Sequence, residues 1–423
     1  MKKNARMFIA IFLIFAVVIV AMTPAFVTFF AKGYVGRAFD DPPFAFDYFE
    51  TAQTSELLLG ASPTVSSKPP PASPPIPTEG LVFEKEPAPE VVTISISAAG
   101  DVIFGGDHAR PSSGHFRRIF AESGEDMNFF FYNVRHIFRE DDLTIVNYEG
   151  TFTYQTRNRG AEFNFRAAPA FAEALALGYI DAVSLANNHS RDYLEQGYQD
   201  TQDALDAVGV AFFGNANNTI MEINGIRVGL FGYTAWHDTA EMRANVTRSI
   251  NYLRDNGAQL IIAYFHWGRE KHYRLHVSQQ PLGRFTIDSG AHLVLGAHPH
   301  VVQGIEVYNG WNIVYSLANF SFGGNAFPFD MDSFIFRQTF SFIDGVLQTD
   351  NDSEIIPVRT TSVTRYNNLQ PTLAEGEDYY RIRRLMNTLS TELNPSGVDF
   401  NPGFWTEPEE YAEYESSEYN ESE

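Results

Sequence analysis

Two imidazoles separated by one proline, in Gly296-Ala297-His298-Pro299-His300, are the sharpest chemical signal in this 423-residue chain. Proline fixes the backbone between them, so both rings can turn to one side and chelate a divalent cation. Four other clusters carry compatible donors: Gly100-Asp101, Asn147-Tyr148-Glu149, Asn187-Asn188-His189 and His266-Trp267-Gly268-Arg269-Glu270. Taken singly, most have an ordinary explanation. Asp101 after a glycine reads as a turn former or helix cap, Glu149 alone is no more telling, and His266 beside Trp267 could be a satisfied core histidine. Asn188-His189 is harder to dismiss, because a polar pair straight after Val183-Ser184-Leu185-Ala186 gains nothing from packing. The chain has no cysteine, which excludes disulfides, thiolate zinc sites, thiolate nucleophiles and iron–sulfur clusters. Any metal must therefore be held by His, Asp, Glu and Asn, and the set on offer is Asp101, Glu149, Asn188, His266, His298 and His300. The remaining histidines, His115, His136, His237, His272, His276 and His292, lie in polar or helical stretches and read as surface residues. His108 is a borderline case close behind Asp101.

Each cluster ends a strand-like run. The runs that matter are 91–101, 143–148, 182–186, 260–265 and 292–295, with further ones at 210–213, 226–233, 313–317 and 334–342. Between several of them, apolar residues at three- and four-residue spacing predict helices over 168–177, 194–208 and 250–255. Strand and helix in alternation imply an α/β fold with a largely parallel centre, and Asn224-Gly225 and Asn309-Gly310 imply added hairpins. In open α/β sheets, ligands bind outside the carboxyl ends of the strands. All five clusters should therefore meet at one edge.

The rest of the chain positions that domain. Residues 7–30 form an uncharged apolar run of 24 residues preceded by Lys2, Lys3 and Arg6, and as a helix it would be ~36 Å long, enough to span a bilayer. Its basic flank puts the amino terminus in the cytoplasm and everything after residue 30 outside; a cleaved signal peptide is the rival reading. From 62 to 77, seven of sixteen positions are proline, the composition of an extended spacer. The expected division is a stub and membrane anchor at 1–30, a linker at 31–90, one large α/β domain at 91–365, and a last segment at 366–423 made of a helix near 378–393 and an acidic tail at 407–423. Thirty Lys and Arg against 52 Asp and Glu give a net charge of −22, which argues against nucleic acid as a partner.

Taken together with Phe163-Asn164-Phe165-Arg166 and Tyr315-Ser316-Leu317-Ala318-Asn319-Phe320, these clusters resemble the CapA family of poly-γ-glutamate capsule-biosynthesis proteins, within the calcineurin-like metallophosphoesterase superfamily. The resemblance spans about residues 94–322. It implies a four-layer α/β/β/α sandwich with metal at the strand ends: Asn188 as a ligand, His189 assisting the leaving group, and His266, His298, His300 and Asp101 as further ligands. Glu149 stands where phosphoesterases place a bridging Asp, with Asn147 the second choice for that place and otherwise a substrate contact. Two positions depart from the superfamily pattern. The opening motif reads Asp101-Val102-Ile103, without its usual His, and Gly-Asp has become Asn147-x-Glu149. That leaves open two ions with altered ligation, one ion, or a site that mainly binds a polyanion. Carboxylate, imidazole and amide donors favour Mn²⁺, Fe or Zn²⁺ over Ca²⁺. Arg166 could clamp an anionic substrate, or make a surface salt bridge. Three functions follow as expectations. The first is a membrane-anchored protein of capsule-polymer synthesis, export or attachment, acting with other capsule-synthesis membrane proteins on an anionic polymer. The second is an envelope phosphatase or phosphodiesterase, and the third is a non-enzymatic scaffold.

Overall fold

Residues rich in β-branched and aromatic side chains form most of the strands in a computed structural model that describes residues 89–107, 112–215, 217–349 and 352–394. The apolar run 7–30, the spacer, the acidic end of the chain and His108 lie outside the described residues. The first strands are β1 (Val91–Ile103), β2 (Gly106–Asp107), β3 (Leu143–Tyr148), β4 (Thr151–Phe152), β5 (Phe165–Ala167) and β6 (Ala182–Ser184). Next come β7 (Ala211–Phe213), β8 (Thr219–Ile223), β9 (Ile226–Ala235), β10 (Leu260–Trp267), β11 (Leu293–Ala297) and β12 (Val302–Tyr308). The last are β13 (Trp311–Leu317), β14 (Asn319–Phe322), β15 (Asp332–Ile343), β16 (Val346–Leu347), β17 (Asp352–Arg359) and β18 (Thr372–Leu373). The helices are α1 (Ser112–Glu122), α2 (Arg135–Glu140), α3 (Ala172–Leu177), α4 (Leu194–Val208), α5 (Ala240–Asp255), α6 (Gln279–Asp288) and α7 (Gly376–Thr391).

These elements make a mixed α/β fold. A nine-stranded sheet has the order β18-β17-β15-β1-β3-β6-β7, with β14 on β1 and β16 on β15; a six-stranded sheet has the order β12-β13-β11-β10-β9-β8; β2, β5 and β4 form a small third sheet. β1, β3, β6 and β7 run parallel, as do β9, β10, β11 and β13. The two Asn-Gly pairs close antiparallel hairpins, β8 to β9 and β12 to β13. Both residues of each pair have positive φ, 51° and 80° at Asn224-Gly225 and 51° and 85° at Asn309-Gly310, the backbone that a two-residue hairpin demands.

Strand alternation divides the apolar side chains among three cores. Ile145, Leu230, Ile262 and Leu295 from the two large sheets share one core. Val146 and Val183 belong to a second, with Phe131, Leu175 and Leu205 from the helical side of the nine-stranded sheet. Ile261 and Phe265 belong to a third, with Val246, Ile250 and Leu282 from α5 and α6. Strands buried on both faces read as continuous apolar runs, which is why the central ones are visible in sequence. Ile382, Met386 and Leu389 of α7 enter the first core.

Several helices are less visible. α5 starts ten residues before the apolar spacing becomes regular at Ile250, because Thr239 caps it by accepting a hydrogen bond from the Met242 N–H. The helix expected from residue 168 begins as a 3-10 turn at Pro169–Phe171 and becomes α-helical at Ala172.

Candidate metal centre

Gly100 sets the position of the first donor. A Cβ there would lie 1.9 Å from the Ala318 carbonyl oxygen, so only glycine lets β14 approach β1 closely enough for the Asp101 N–H to reach that oxygen, at 2.9 Å. Asp101 then pairs in register with Asn147 of β3 and Asn319 of β14. On the other sheet His266 of β10 pairs with Ala297, next to His298. His298 and His300 sit just past β11 with φ of 94° and 55°. Left-handed backbone is costly for residues with a Cβ, about 1–3 kcal/mol each, and persists where the surroundings impose it. Here the Lys271 N–H holds the intervening Pro299 carbonyl at 2.7 Å.

The carboxylate side and the imidazole side meet. Ligand atoms of Glu149, His266 and His298 lie within 4.8 Å of one another, as do those of Asp101, Glu149 and His300, and those of Glu270, His298 and His300. Glu149 is common to the first two groups. His300 Nδ1 is 3.1 Å from Asp101 Oδ2 and 2.9 Å from Asn319 Oδ1, and the His298 N–H donates to Asp101 Oδ2 at 3.3 Å. His266 Nε2 is 3.4 Å from Glu149 Oε1.

The unmet donors and acceptors provide the fit test for a cation. Both carboxylate oxygens of Glu149, His266 Nε2, His298 Nδ1 and the Asn188 side-chain oxygen are buried with no hydrogen-bond partner. One such atom costs about 1–3 kcal/mol. Those of Glu149, His266 and His298, whose ligand atoms lie together, are what a chelated cation would satisfy. The titration behaviour agrees. Burial, with Asp101 as a second cause, pushes Glu149 up to about 8; burial takes His266 down to about 3 and His298 to about 2. Burial also opposes the charged Asp101–His300 pair, but Glu149 and Asp101 still raise His300 to about 9, and His300 holds Asp101 below its ordinary range. Asp101 and His300 thus pair as ions, while Glu149, His266 and His298 stay uncharged near neutral pH with ligand atoms unmet. The residues present fit a divalent ion.

His189 lies one step outside. Its Nε2 is 3.9 Å from Glu149 Oε1, its Nδ1 is 2.7 Å from Asp192 Oδ2, and its N–H is held by Asn187 Oδ1 at 3.0 Å. Asn147 is wholly enclosed: its Nδ2 donates to Asp101 Oδ1 at 2.8 Å, and its Oδ1 accepts from Asn187 Nδ2 at 3.1 Å. Its amide is spent orienting other members of the cluster. Arg166 is not brought in. In β5 it alternates with Phe165, so Phe165 packs on the His189 ring, with centroids 4.5 Å apart. Arg166 instead lies over the Tyr193 ring and lines a separate cavity beside Phe116 and Phe171.

Sequence reasoning gave no role to three residues that the geometry places here. Glu270 ends the cluster that begins at His266, and its exposed loop position gave no periodicity to read. Asp192 stands three residues after His189 and is fully buried. Asn319 lies in a recognised motif but only β14 pairing shows what it touches.

The model of a family described as "Bacterial capsule synthesis protein PGA_cap" matches residues 95–324, which include every residue of the cluster. "PGA biosynthesis protein CapA" of Bacillus subtilis (strain 168) is 30% identical over 250 residues, covering 54% of this chain and 63% of that protein. "Capsule biosynthesis protein CapA" of Bacillus anthracis is 26% identical over 271 residues, covering 58% and 63%. The matched region is thus under two thirds of the length of either relative. A solved hypothetical protein from Thermus thermophilus superposes with a TM-score of only 0.38 at 14% identity, covering 62% of this chain and 99% of that one.

Proposed function

The chain belongs to the PGA_cap family of bacterial capsule synthesis proteins, the CapA family, and on that premise we propose that it acts in the synthesis, export or attachment of an anionic capsule polymer such as poly-γ-glutamate. In this reading the two large sheets and their helices form a four-layer α/β/β/α metallophosphoesterase-like sandwich. Residues 7–30 anchor it in the cell membrane, the linker holds it outside, and its neighbours are other capsule-synthesis membrane proteins.

The observation that carries the proposal is the convergence of unpartnered ligand atoms at the strand ends. His266, His298, Glu149 and Asn188 would hold one ion; Asp101, His300 and again Glu149 would hold a second, of Mn, Fe or Zn type. A bound divalent ion supplies Lewis acidity toward an anionic group and acidity to water. Asn147 fixes Asp101 by its amide hydrogen bond, which holds the carboxylate in one orientation. Asp192 takes the Nδ1 side of His189, so Nε2 is the nitrogen free to hold or deliver a proton.

That placement of His189 favours a second reading, a metal-dependent phosphatase or phosphodiesterase of the cell envelope. A single comparison tests both. Metal analysis of the full-length protein, with polymer production by cells carrying His298→Ala, should show metal in the wild type and the loss of both in the variant. Full polymer production without metal would overturn the metal-dependent reading. Cleavage of a generic phosphodiester with added Mn²⁺ would favour the hydrolase.

A further inference from the structure

Of the acids grouped with the chelating histidines, Asp101 and Glu149 are fully buried and Glu270 is exposed. A ligand atom of Glu270 lies within 4.8 Å of one on His298 and one on His300. A carboxylate therefore stands against both imidazoles on the solvent side of the cluster, and the function described so far gives it nothing to do.

The backbone fixes that placement. Glu270 sits between Gly268 and Lys271, whose φ values are 81° and 62°. The Lys271 N–H holds the Pro299 carbonyl at 2.7 Å, the Glu270 carbonyl accepts from His272 Nδ1 at 2.7 Å, and Gln303 Nε2 donates to the His272 carbonyl at 2.8 Å. The loop after β10 is thus pinned to the loop that carries His298 and His300. The Glu270 carboxylate itself enters no ion pair or hydrogen bond among the described residues, its exposed neighbours Arg269 and Lys271 included.

A way inward starts at this residue. Glu270 borders a cavity of about 210 Å³ that reaches His300 and Asn319. A water molecule takes ~30 Å³ of the liquid, so a cation with most of its hydration shell fits. His298 also belongs to the buried group with Glu149 and His266, and His300 to the one with Asp101 and Glu149. An ion held by Glu270 and either imidazole is therefore one ligand exchange from a buried place. Without such a step the ion would shed its waters before meeting any carboxylate, because Asp101 and Glu149 have no exposed surface. Desolvating a charge with nothing in exchange is far more costly than replacing its ligands one at a time.

We propose that Glu270, with His298 and His300, forms an outer cation station through which a divalent ion enters and leaves the buried cluster. Glu270 lets go of the ion as Asp101 or Glu149 takes it up. The station therefore governs how fast the cluster fills and empties, and hardly changes how full it is at equilibrium. It rests on the reading of the buried cluster as a metal centre.

The test is stopped-flow mixing of the metal-stripped full chain in detergent with Mn²⁺, and of the loaded chain with excess EDTA. Tryptophan fluorescence reports both, because the Trp236 ring lies 4.7 Å from that of His298 and paramagnetic Mn²⁺ there should quench it. Glu270→Gln should melt with the wild type and reach the same Mn²⁺ content. It should do so ~10–100-fold more slowly, the lower part of the range over which a local charge raises on-rates, with release slowed by the same factor. Glu270→Asp, which keeps the charge and shortens its reach, should lie between the two. Slower uptake with unchanged release would reduce Glu270 to a steering charge and overturn the station. A Mn²⁺ content below that of the wild type would make Glu270 a ligand of the resting centre and overturn it as well. The remaining failures are separable. Wild type that takes up no Mn²⁺ sinks the reading of the cluster and the station with it, whereas wild type that fills while Glu270→Gln matches both of its rates sinks the station alone.

Discussion

Two buried glutamates, Glu149 and Glu306, have nearly the same exposure and opposite surroundings. Glu306, on β12, accepts from Arg284 Nε at 2.8 Å and Gln280 Nε2 at 3.2 Å on one oxygen and from the Tyr315 hydroxyl at 2.5 Å on the other. Glu149 has no hydrogen-bond partner on either oxygen. Folding can account for the first, because every acceptor is met inside the chain. It cannot account for the second, whose desolvation is left uncompensated. Burial of a charged residue is thus a poor guide to function by itself, and the unmet bonding capacity is the informative part.

The largest effects should come from within the unmet cluster and should split by role. His189→Ala should leave metal content and thermal stability near wild type while lowering polymer production or phosphoester cleavage by ~10²–10⁴-fold, the usual contribution of a positioned proton donor. His298→Ala should lose metal as well. If His189→Ala retains full activity, the cluster binds without turning over, and the scaffold function gains. If both variants keep metal and activity, the contrast between met and unmet glutamates has no functional meaning in this chain.

The satisfied glutamate should fail the other way. Glu306→Gln leaves Arg284 without its charge partner and puts an amide donor into a site built to accept, so unfolding in denaturant should show a loss of about 2–3 kcal/mol. Metal content should not change. A drop in metal with little loss of stability would erase the distinction between the two regions.

The sequence made part of this distinction legible. Strands buried on both faces appear as apolar runs, so the ends of β1, β3, β10 and β11, and with them Asp101, Glu149, His266 and His298, can be placed from composition. Side-chain direction in short elements cannot. β5 has three residues, too few to announce an alternation, so nothing in the text of Phe165-Arg166 tells that the arginine turns away from His189. Partners brought by tertiary packing are equally silent: Asp192 looks like any helix-proximal acid until His189 is seen beside it. His292 shows the same limit from the other side. Read as a surface residue, it in fact packs on Trp311, with ring centroids 4.9 Å apart, and its Nδ1 accepts the Ile261 N–H at 3.0 Å.

His292 is an intermediate case, half-buried and satisfied only while neutral. Burial, then the nearby Arg254, takes it down to about 4 from 6.5. Between those values the unfolded chain binds the proton and the folded chain does not, so the stability present above pH 6.5 falls as pH drops toward 4. The loss attributable to this residue should be about 2–3 kcal/mol. Comparing unfolding at pH 7 and pH 4.5 in wild type and His292→Gln measures it: the variant should lose less on acidification. An identical loss would mean that His292 is solvated more than its packing implies.

The smallest effect is expected where the comparison is sharpest. Burial, and after it the charge of nearby Asp101, hold the Glu149 carboxyl at about 8, so in metal-free protein at neutral pH it is mostly protonated, and Gln has nearly the same shape and the same lack of charge. Glu149→Gln should therefore change the stability of metal-stripped protein by less than about 1 kcal/mol, although a buried carboxyl is altered. The same substitution should remove most of the stabilisation that added Mn²⁺ gives the wild type, because an amide oxygen replaces the carboxylate shared by two groups of ligand atoms. Thermal melts of both proteins with chelator and with Mn²⁺ supply the four values needed. A metal-free variant that melts far below the wild type would show that Glu149 is already satisfied in the fold, as Glu306 is. A variant that keeps the full Mn²⁺ shift would place the ion elsewhere. Only stability that is indifferent to the substitution without metal and sensitive to it with metal is what an unmet carboxylate, reserved for a cation, should produce.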